Sequence, residues 1–478
     1  MRDVFHALDR LARTRPDDAA FREGTEAIGW AGLAHRVAAL AATLDAAPAT
    51  VGVAVFGGID HVVADLAVTL AGRRLVPLPP FFSAEQKAHV LRDAAVGLLI
   101  ADPGGESFGL PTLSPRQAGA ATLPAYAGGG TRVIYTSGSS GRPRGVVLGD
   151  RQIAASLAGL AAAVGPRATD RHLSVLPLAQ LLEQICGVFL PILAGAEVVF
   201  VPEARIALAG GPIDPLAEAM ARERPTTSLL VPALLAKWTA WLAARGAAAP
   251  DSLRFVAVGG AASAPALLDA AMARGVPVIE GYGLSECCSV VALNRPGAAR
   301  PGTVGPVLEG LFVTIEAGEI VVAGPTVMEG YLNGPPAPAR WRTGDRGRFE
   351  GDRLVVEGRR DALLVLPNGR NVSPEWVEAR VEADPRVIAA ALCLDPEDRL
   401  QLLVAARSPV APAEIARACA DLPAYARPAA VAFVDPRGLF FPSGAPDRAA
   451  VRRSAATLGA AAEPLPECES EPEPEPLS

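Results

Sequence analysis

A short loop rich in glycine and hydroxyl residues lies between two apolar runs and is the segment of this chain best suited to chemistry. It reads VIYTSGSSGRPRGVVL over Val133–Leu148. Glycines let a ligand approach the backbone, and hydroxyls and N–H groups donate hydrogen bonds to phosphate oxygens. Arg142 and Arg144 add positive charge beside the loop. The pattern predicts a strand, a phosphate-binding loop and a second strand.

The loop differs from the P-loop of nucleoside triphosphatases, which needs Gly-Lys-Ser/Thr, because Lys87 and Lys237 both lie outside it. It closely resembles instead the phosphate loop of the adenylate-forming superfamily, which includes acyl- and aryl-CoA synthetases, peptide-synthetase adenylation domains and luciferases. Ser140 replaces the usual Thr, and Arg144 replaces the usual Lys. The resemblance implies that nucleotide phosphates meet Thr136, Ser137, Gly138, Ser139, Ser140, Gly141 and Arg144.

A second motif, GYGLSE, follows an apolar run where the superfamily has Gly-Tyr-Gly-x-Thr-Glu. The resemblance places Gly281, Tyr282 and Gly283 at the nucleotide, with the tyrosine ring stacked on adenine. It assigns Ser285 to the α-phosphate and Glu286 to Mg²⁺. A flat aromatic side chain suits a base, and a carboxylate suits a hard cation that also bridges phosphates.

Two further motifs, RTGD and GRRD, follow in the superfamily's order. By resemblance, Asp345 accepts from the ribose hydroxyls and Arg359 reaches ribose or phosphate. Asp361 is the hinge about which a small domain turns, and Gly369 lies on the loop that lines the thiol's approach. A surface ion pair is the simpler alternative for Arg359.

Three apolar or glycine-rich segments resemble the walls of the superfamily's acid pocket. VGGAAS supplies Gly259, Gly260 and Ala261, which border both the nucleotide and the acid. LPLAQ supplies Gln180, where many relatives have His, and LLVPALL supplies Val231. Because apolar runs also form ordinary protein cores, a plain core role is the alternative for the last two segments.

The pocket-wall stretch LAQLLEQICG bears on the type of acid. Amino-acid adenylating relatives carry an Asp there to pair with the amine, and this stretch lacks it, although Glu183 is nearby. The sequence therefore favours an acid without an amine, either aryl or fatty. The segment VPLPPFFS is similar to a stretch of bacterial ligases that load hydroxybenzoates or acyl chains onto carrier proteins.

The pattern breaks at Ala445. In the superfamily a lysine in a Gly-Lys-x-x-Arg segment binds the carboxylate and the α-phosphate during adenylation, and FPSGAPDR has alanine at that position. Loss of one charge-stabilising donor typically costs about 3–4 kcal/mol, or roughly 10²–10³ in rate. The alternatives are an engineered substitution, a slow natural enzyme, or an enzyme that relies on an arginine such as Arg448.

The resemblance implies an ATP- and Mg²⁺-dependent ligase that converts a small carboxylic acid to an acyl adenylate. The acyl group is then passed to the thiol of CoA or of phosphopantetheine on an acyl carrier protein. An amino-acid adenylating enzyme is one alternative, and a non-catalytic nucleotide-binding or regulatory homologue is another. The retained Glu286, Asp345 and Arg359 favour an enzyme.

Alternating apolar strands and alanine-rich helices predict an α/β fold with a large N-terminal domain of parallel and mixed sheets, a small β subdomain, and a hinged α+β C-terminal domain. A net charge of −7 argues against a broadly basic nucleic-acid binder. Without a signal peptide or a membrane-spanning run, a cytoplasmic protein is expected. The predicted parts are residues 1–357 (β-rich over about 311–357), the hinge 358–361, a mobile domain 362–458, and a disordered acidic tail 459–478.

Overall fold

The computed structural model describes residues 1–119, 122–136, 143–208, 211–360, 364–366, 371–440, 445–459 and 462–466. Its α-helices are α1 (Arg2–Thr14), α2 (Trp30–Ala42), α3 (Gly58–Leu70), α4 (Ala84–Asp93), α5 (Asp150–Val164), α6 (Leu181–Glu183), α7 (Leu190–Ala194), α8 (Arg205–Leu208), α9 (Asp214–Glu223), α10 (Pro232–Ala244), α11 (Pro265–Ala273), α12 (Pro374–Glu382), α13 (Pro412–Ala418) and α14 (Arg448–Gly459).

The strands of the large domain alternate with these helices over much of its length. They are β1 (Ala19–Glu23), β2 (Glu26–Gly29), β3 (Thr50–Ala54), β4 (Arg74–Pro77), β5 (Leu98–Ala101), β6 (Thr112–Leu113), β7 (Thr131–Thr136), β8 (Arg144–Leu148), β9 (Arg171–Ser174), β10 (Glu197–Phe200), β11 (Thr227–Leu230), β12 (Phe255–Val258), β13 (Val278–Leu284) and β14 (Ser289–Leu293).

The later strands form the small subdomain and the C-terminal domain. They are β15 (Gly305–Pro306), β16 (Phe312–Glu316), β17 (Glu319–Ala323), β18 (Gly330–Tyr331), β19 (Arg340–Glu350), β20 (Arg353–Arg359), β21 (Leu364–Val365), β22 (Asn371–Val372), β23 (Val387–Leu394), β24 (Leu400–Ala406), β25 (Ala430–Phe433) and β26 (Glu463–Pro464).

Two large sheets form the main domain. Within the described residues, sheet A has eight strands in the order β14-β13-β12-β11-β9-β10-β1-β2, and sheet B has seven in the order β18-β8-β7-β4-β3-β5-β6. The interior strands β9 to β13 pair in parallel, and antiparallel neighbours lie at the edges. Because parallel strands are covered on both faces, apolar side chains pack on both sides of sheet A.

A five-stranded antiparallel sheet, β15-β20-β19-β17-β16, forms the small subdomain within the described part of the chain. Strand β18 leaves this subdomain and pairs with β8 at the edge of sheet B. The C-terminal domain contains the sheet β23-β24-β25-β26 with α12, α13 and α14. Strand β26 lies inside the segment for which the sequence predicts a disordered tail. Its backbone pairs with β25. Residues 467–478 lie outside the described ranges.

Helix ends follow local sequence signals. The Ser83 side chain accepts a hydrogen bond from the backbone N–H of Gln86 and so caps α4. Gly165 and Gly195 end α5 and α7 in the left-handed conformation, with φ of +53° and +72°. Among the described helices, none combines the length and the apolar character that crossing a bilayer would require.

A buried ion pair holds β7, the strand that precedes the predicted phosphate loop. The Arg132 guanidinium lies 3.1 Å from Asp65 on α3, and both side chains are at most 4% exposed. Arg132 also donates to Gln184 at 2.5 Å and lies 4.8 Å from the Phe189 ring centroid. Arg132 therefore connects β7 of sheet B both to α3 and to the helical turn Gln184–Phe189, which borders sheet A.

Replacing Arg132 with Met should lower the free energy of unfolding by about 3–5 kcal/mol, because the Asp65 carboxylate would be left buried and unpaired. Urea unfolding of both proteins measures the difference. Arg13→Met, which breaks the exposed pair with Asp9, is the matched control and should leave the midpoint nearly unchanged. Equal midpoints for the Arg132 variant and the parent would contradict this account.

Candidate active site

A cavity of about 2020 Å³ opens at the carboxyl ends of strands from both large sheets. This is where open α/β sheets place their ligands. A single ligand pocket usually measures roughly 300–1,000 Å³, so the cavity has room for more than one substrate. The predicted site residues that line it are Thr136, Gln180, Val231, Gly259, Gly260, Ala261, Gly281, Tyr282, Gly283, Ser285, Asp345, Arg359 and Ala445.

The phosphate loop is described at its two ends. Thr136 ends β7 and Arg144 begins β8, and the two residues are paired across the antiparallel ladder. The two strands predicted on either side of the loop are therefore present, in the predicted order. The predicted residues outside the described ranges are Ser137, Gly138, Ser139, Ser140, Gly141, Asp361 and Gly369.

Three predicted residues meet at the Asp345 carboxylate. The Tyr282 hydroxyl donates to Oδ2 at 2.5 Å, and Arg359 Nη1 lies 3.3 Å from Oδ1. Asp345 and Arg359 are direct partners in the β19–β20 ladder, which sets their approach. Burial, followed by the nearby carboxylate, raises the pKa of Tyr282, so its hydroxyl stays protonated and donates. The chain thus brings the GYGLSE, RTGD and GRRD motifs to one carboxylate.

Gly344 permits this arrangement. Its φ is +76°, and a Cβ at this position would lie 3.2 Å from the Arg359 guanidinium. Any other residue would strain the backbone and crowd the arginine. The glycine of the RTGD motif is therefore explained by the close approach of Arg359.

Glu286 belongs to a second cluster built around Tyr331, a residue that the sequence motifs did not identify. The Tyr331 hydroxyl donates to Glu286 Oε1 at 2.7 Å. The Arg144 guanidinium carbon lies 3.5 Å from the centroid of the Tyr331 ring, a cation–π contact. Tyr331 binds one carboxylate oxygen of Glu286, which leaves the second to coordinate a cation. The donor type fits a hard divalent ion such as Mg²⁺.

The two glycines of GYGLSE are required by strand packing. A Cβ at Gly283 would lie 1.7 Å from the Ser289 carbonyl oxygen, and one at Gly281 would lie 2.9 Å from Leu293 Cδ1. Both contacts are with β14, the edge strand that pairs with β13. The glycines let the motif lie flat against β14, which leaves the Tyr282 ring on the cavity side.

Glu280, immediately before the motif, also lines the cavity, and the sequence analysis missed it. Its carboxylate accepts from the Ser263 hydroxyl and the Gly302 backbone, while its Oε2 is buried without a hydrogen-bond partner. Burial raises the pKa of this carboxyl to about 7. The signal in the sequence was an acid at the end of an apolar strand, next to a ligand motif.

Ala445 and Arg448 both line the cavity, but the Arg448 guanidinium is paired with carboxylates of α12. Arg448 donates to both carboxylate oxygens of Glu378, at 2.5 and 2.7 Å, and lies 3.3 Å from Glu375. Bidentate pairs of this kind are strong and directional. Arg448 therefore fastens α14 to α12, and this argues against the hypothesis that it replaces the missing lysine.

Comparison with known proteins gives one family and one fold. A family model described as "AMP-binding enzyme" matches residues 8–126 and 131–332. The chain is 26% identical over 469 residues to a 2-succinylbenzoate–CoA ligase of Bacillus licheniformis, covering 90% of this chain and 95% of the ligase. It is 32% identical over 428 residues to an isonitrile lipopeptide synthase of Streptomyces coeruleorubidus, covering 80% of this chain but only 29% of that protein.

A solved structure shares the fold. The o-succinylbenzoate coenzyme A synthetase of Bacillus subtilis, in complex with ATP and magnesium ion, matches with a TM-score of 0.78 at 24% identity, covering 93% of this chain and 98% of that one. This likeness confirms the predicted architecture of a large domain with mixed sheets and helices and a smaller C-terminal domain.

Glu280→Gln should change how stability depends on pH. A carboxyl whose pKa is raised in the folded protein stabilises it below pH 4.5, and this stabilisation is lost as the pH rises through about 7. The variant should therefore gain about 3 kcal/mol relative to the parent between these pH values. Unfolding curves across this range measure the gain. Glu309→Gln, at an exposed position, is the control, and a constant difference between Glu280→Gln and the parent would refute the assignment.

Proposed function

This chain belongs to the AMP-binding enzyme family, and we propose that it is an AMP-forming ligase that joins a carboxylic acid to a thiol. The carboxylate attacks the α-phosphorus of ATP, the bond to pyrophosphate breaks, and an acyl adenylate forms. The thiol then attacks the acyl carbonyl and AMP leaves. The observation that carries the proposal is the meeting of Tyr282, Asp345 and Arg359 at one carboxylate inside the cavity.

Nucleotide binding follows from the chemistry of these side chains. Asp345 has two oxygens that can accept from the ribose hydroxyls, and Arg359 beside it can turn toward ribose or phosphate. The Tyr282 ring offers a flat surface for adenine.

Mg²⁺ would be held by Glu286 together with phosphate oxygens, and it would supply charge neutralisation on the phosphates. The neighbouring side chains of Tyr331 and Arg144 orient the groups that would bind the ion and the phosphates. Tyr331 orients the Glu286 carboxylate, and Arg144 is fixed on the Tyr331 ring at the foot of the phosphate loop. The complex of the Bacillus subtilis synthetase with ATP and magnesium ion supports this choice of ligands.

The acid is proposed to lack an amine, as an aryl or fatty acid does. Glu183, the carboxylate near the pocket wall, is 0% exposed, accepts from Ser174 at 2.5 Å and lies 3.7 Å from His172. The Glu183 carboxylate is thus enclosed in the protein core and is not positioned to pair with a substrate ammonium. The 2-succinylbenzoate–CoA ligase among the relatives also acts on such an acid, and amino-acid adenylation remains the alternative within this class.

The similarity to the 2-succinylbenzoate–CoA ligase favours CoA as the acceptor. A carrier-protein phosphopantetheine is the second candidate, favoured by the similarity to a lipopeptide synthase. Both present the same thiol, so the chemistry of the second step is shared. The carbonyl of the acyl adenylate is already activated as an anhydride, and the protein supplies orientation and charge neutralisation.

Ala445 is proposed to slow the first step selectively. Negative charge develops on the α-phosphate oxygens during adenylation, and the alanine offers no cation to stabilise it. Arg448 is ion-paired with Glu378 and Glu375, so it does not fill the gap. A non-catalytic nucleotide-binding protein is the alternative from another class, and Ala445 is the observation that favours it.

Ala445→Lys should raise acid-dependent pyrophosphate release by roughly 10²–10³-fold, because the lysine restores one charge-stabilising donor. The measurement compares aryl, fatty and amino acids on the parent and the variant. Ala445→Met, with a side chain of similar length and no charge, is the matched control and should stay at the parent's rate.

The acid class that is turned over identifies the substrate. If the parent and the Ala445→Lys variant both bind ATP but release no pyrophosphate with any acid, the ligase proposal fails and the non-catalytic alternative stands. A gain shared equally by Ala445→Met would show that side-chain bulk, not charge, was missing.

A further inference from the structure

The cavity extends well beyond the nucleotide site, along one face of sheet A. One part of its wall is formed by Leu160 and Val164, which lie four residues apart on one face of α5. The opposite part is formed by Phe255 and Ala257, which lie two residues apart on one face of β12. Leu190 of α7 completes the wall. We name this apolar part, bounded by α5, α7 and β12, the sheet channel.

Ala257 shows that the channel is real space and not ordinary packing. It lies on a central strand between β11 and β13, yet it is only partly buried, so the face of sheet A that carries it is not fully covered there. Protein interiors leave few voids, so a gap at this position is a specific feature. Cys186, on the π-helical turn over Gln184–Phe189, faces the same space and is also partly exposed.

The channel runs from the acid pocket toward the amino end of β12. Ala257 lies near Gly259 and Gly260 of the acid pocket, and the far end is closed by Arg254, which pairs with Asp170 at 2.7 Å. Three residues of strand correspond to about 10 Å at 3.3 Å per residue. Arg254 also donates to the Gly165 carbonyl, just after Val164, so Val164 lies at the distal end.

We infer that the sheet channel holds the tail of the acid, and that the substrate is an elongated aliphatic acid rather than a compact aryl acid. The inference rests on the proposed ligase function and names its substrate class. The walls contributed by α5, α7 and β12 are apolar and fit an extended methylene chain, while Thr227 and His172 on the neighbouring strands add polar groups to the same cavity. Ala257 sets the entrance of the channel, and Val164 limits its length.

The test measures binding, so it does not depend on the missing lysine. Adenosine sulfamates that carry an acetyl, benzoyl, dodecanoyl or hexadecanoyl group are titrated into the full chain by calorimetry. Affinity should rise at least about tenfold from acetyl to dodecanoyl, because each buried methylene adds to binding. The benzoyl analogue should bind more weakly than the dodecanoyl analogue.

Two variants locate the tail. Ala257→Phe should weaken binding of both long-chain analogues at least tenfold, while Val164→Phe should weaken only the hexadecanoyl analogue. Unchanged binding of the acetyl analogue shows that each variant is folded and that the nucleotide site is intact. Ala27→Phe, at an exposed position on the edge strand β2, is the matched control and should bind all four analogues like the parent.

The outcomes separate the two proposals. If the acetyl and benzoyl analogues bind but chain length and both channel variants have no effect, the channel inference is overturned and the ligase proposal stands. If neither these analogues nor AMP binds the parent, the proposed function itself fails.

Discussion

The Asp345 carboxylate is the point on which the site depends. It lies on β19 of the small subdomain, receives the Tyr282 hydroxyl from β13 of sheet A, and faces Arg359 on β20. One carboxylate therefore joins the main sheet, the subdomain and the strand that leads to the C-terminal domain. Because its partners are a phenol hydroxyl that donates to one oxygen and a guanidinium beside the other, the orientation of the carboxylate is set from both sides.

Much of this arrangement could be predicted from the sequence, because the motifs are local and each carries its own chemistry. The strands around the predicted phosphate loop follow from the apolar runs on either side of it, and the roles of GYGLSE, RTGD and GRRD follow from the family resemblance. The pairing of RTGD with GRRD is seen only in the structure. Glu280 and Tyr331 could not be predicted in the same way. Tyr331 reaches Glu286 only because β18 leaves its own subdomain and joins β8, a long-range pairing that leaves no local signal.

The difference between local motifs and long-range contacts also explains the pairing of Arg448 and the open space beside Ala257. The sequence offers Arg448 as a substitute for lysine because it lies near Ala445, but the fold pairs it with Glu378 and Glu375 across to α12. The open channel beside Ala257 depends on which side chains meet across α5 and β12, and an alanine in a strand does not reveal this. The fold class follows from periodicity, whereas the lining of the cavity follows from packing between distant segments.

At the predicted site this chain has the acidic, aromatic and arginine residues of the motifs, but alanine at position 445. In the proposed function the motif residues position substrates in both half-reactions, whereas the superfamily's lysine acts during adenylation. The account therefore predicts a slow but chemically unchanged first step, with the acid attacking the α-phosphorus. A protein that had lost its activity altogether would have no need to keep Asp345, Arg359 and Glu286 in these contacts.

The most direct test follows the oxygen of the acid. The full chain is incubated with ATP, CoA and a carboxylic acid that carries a heavy oxygen isotope in its carboxylate, and the products are examined by mass spectrometry. Attack on the α-phosphorus transfers one labelled oxygen to AMP, and the account predicts labelled AMP. Label in inorganic phosphate, or acyl transfer without label in AMP, would contradict the adenylate mechanism.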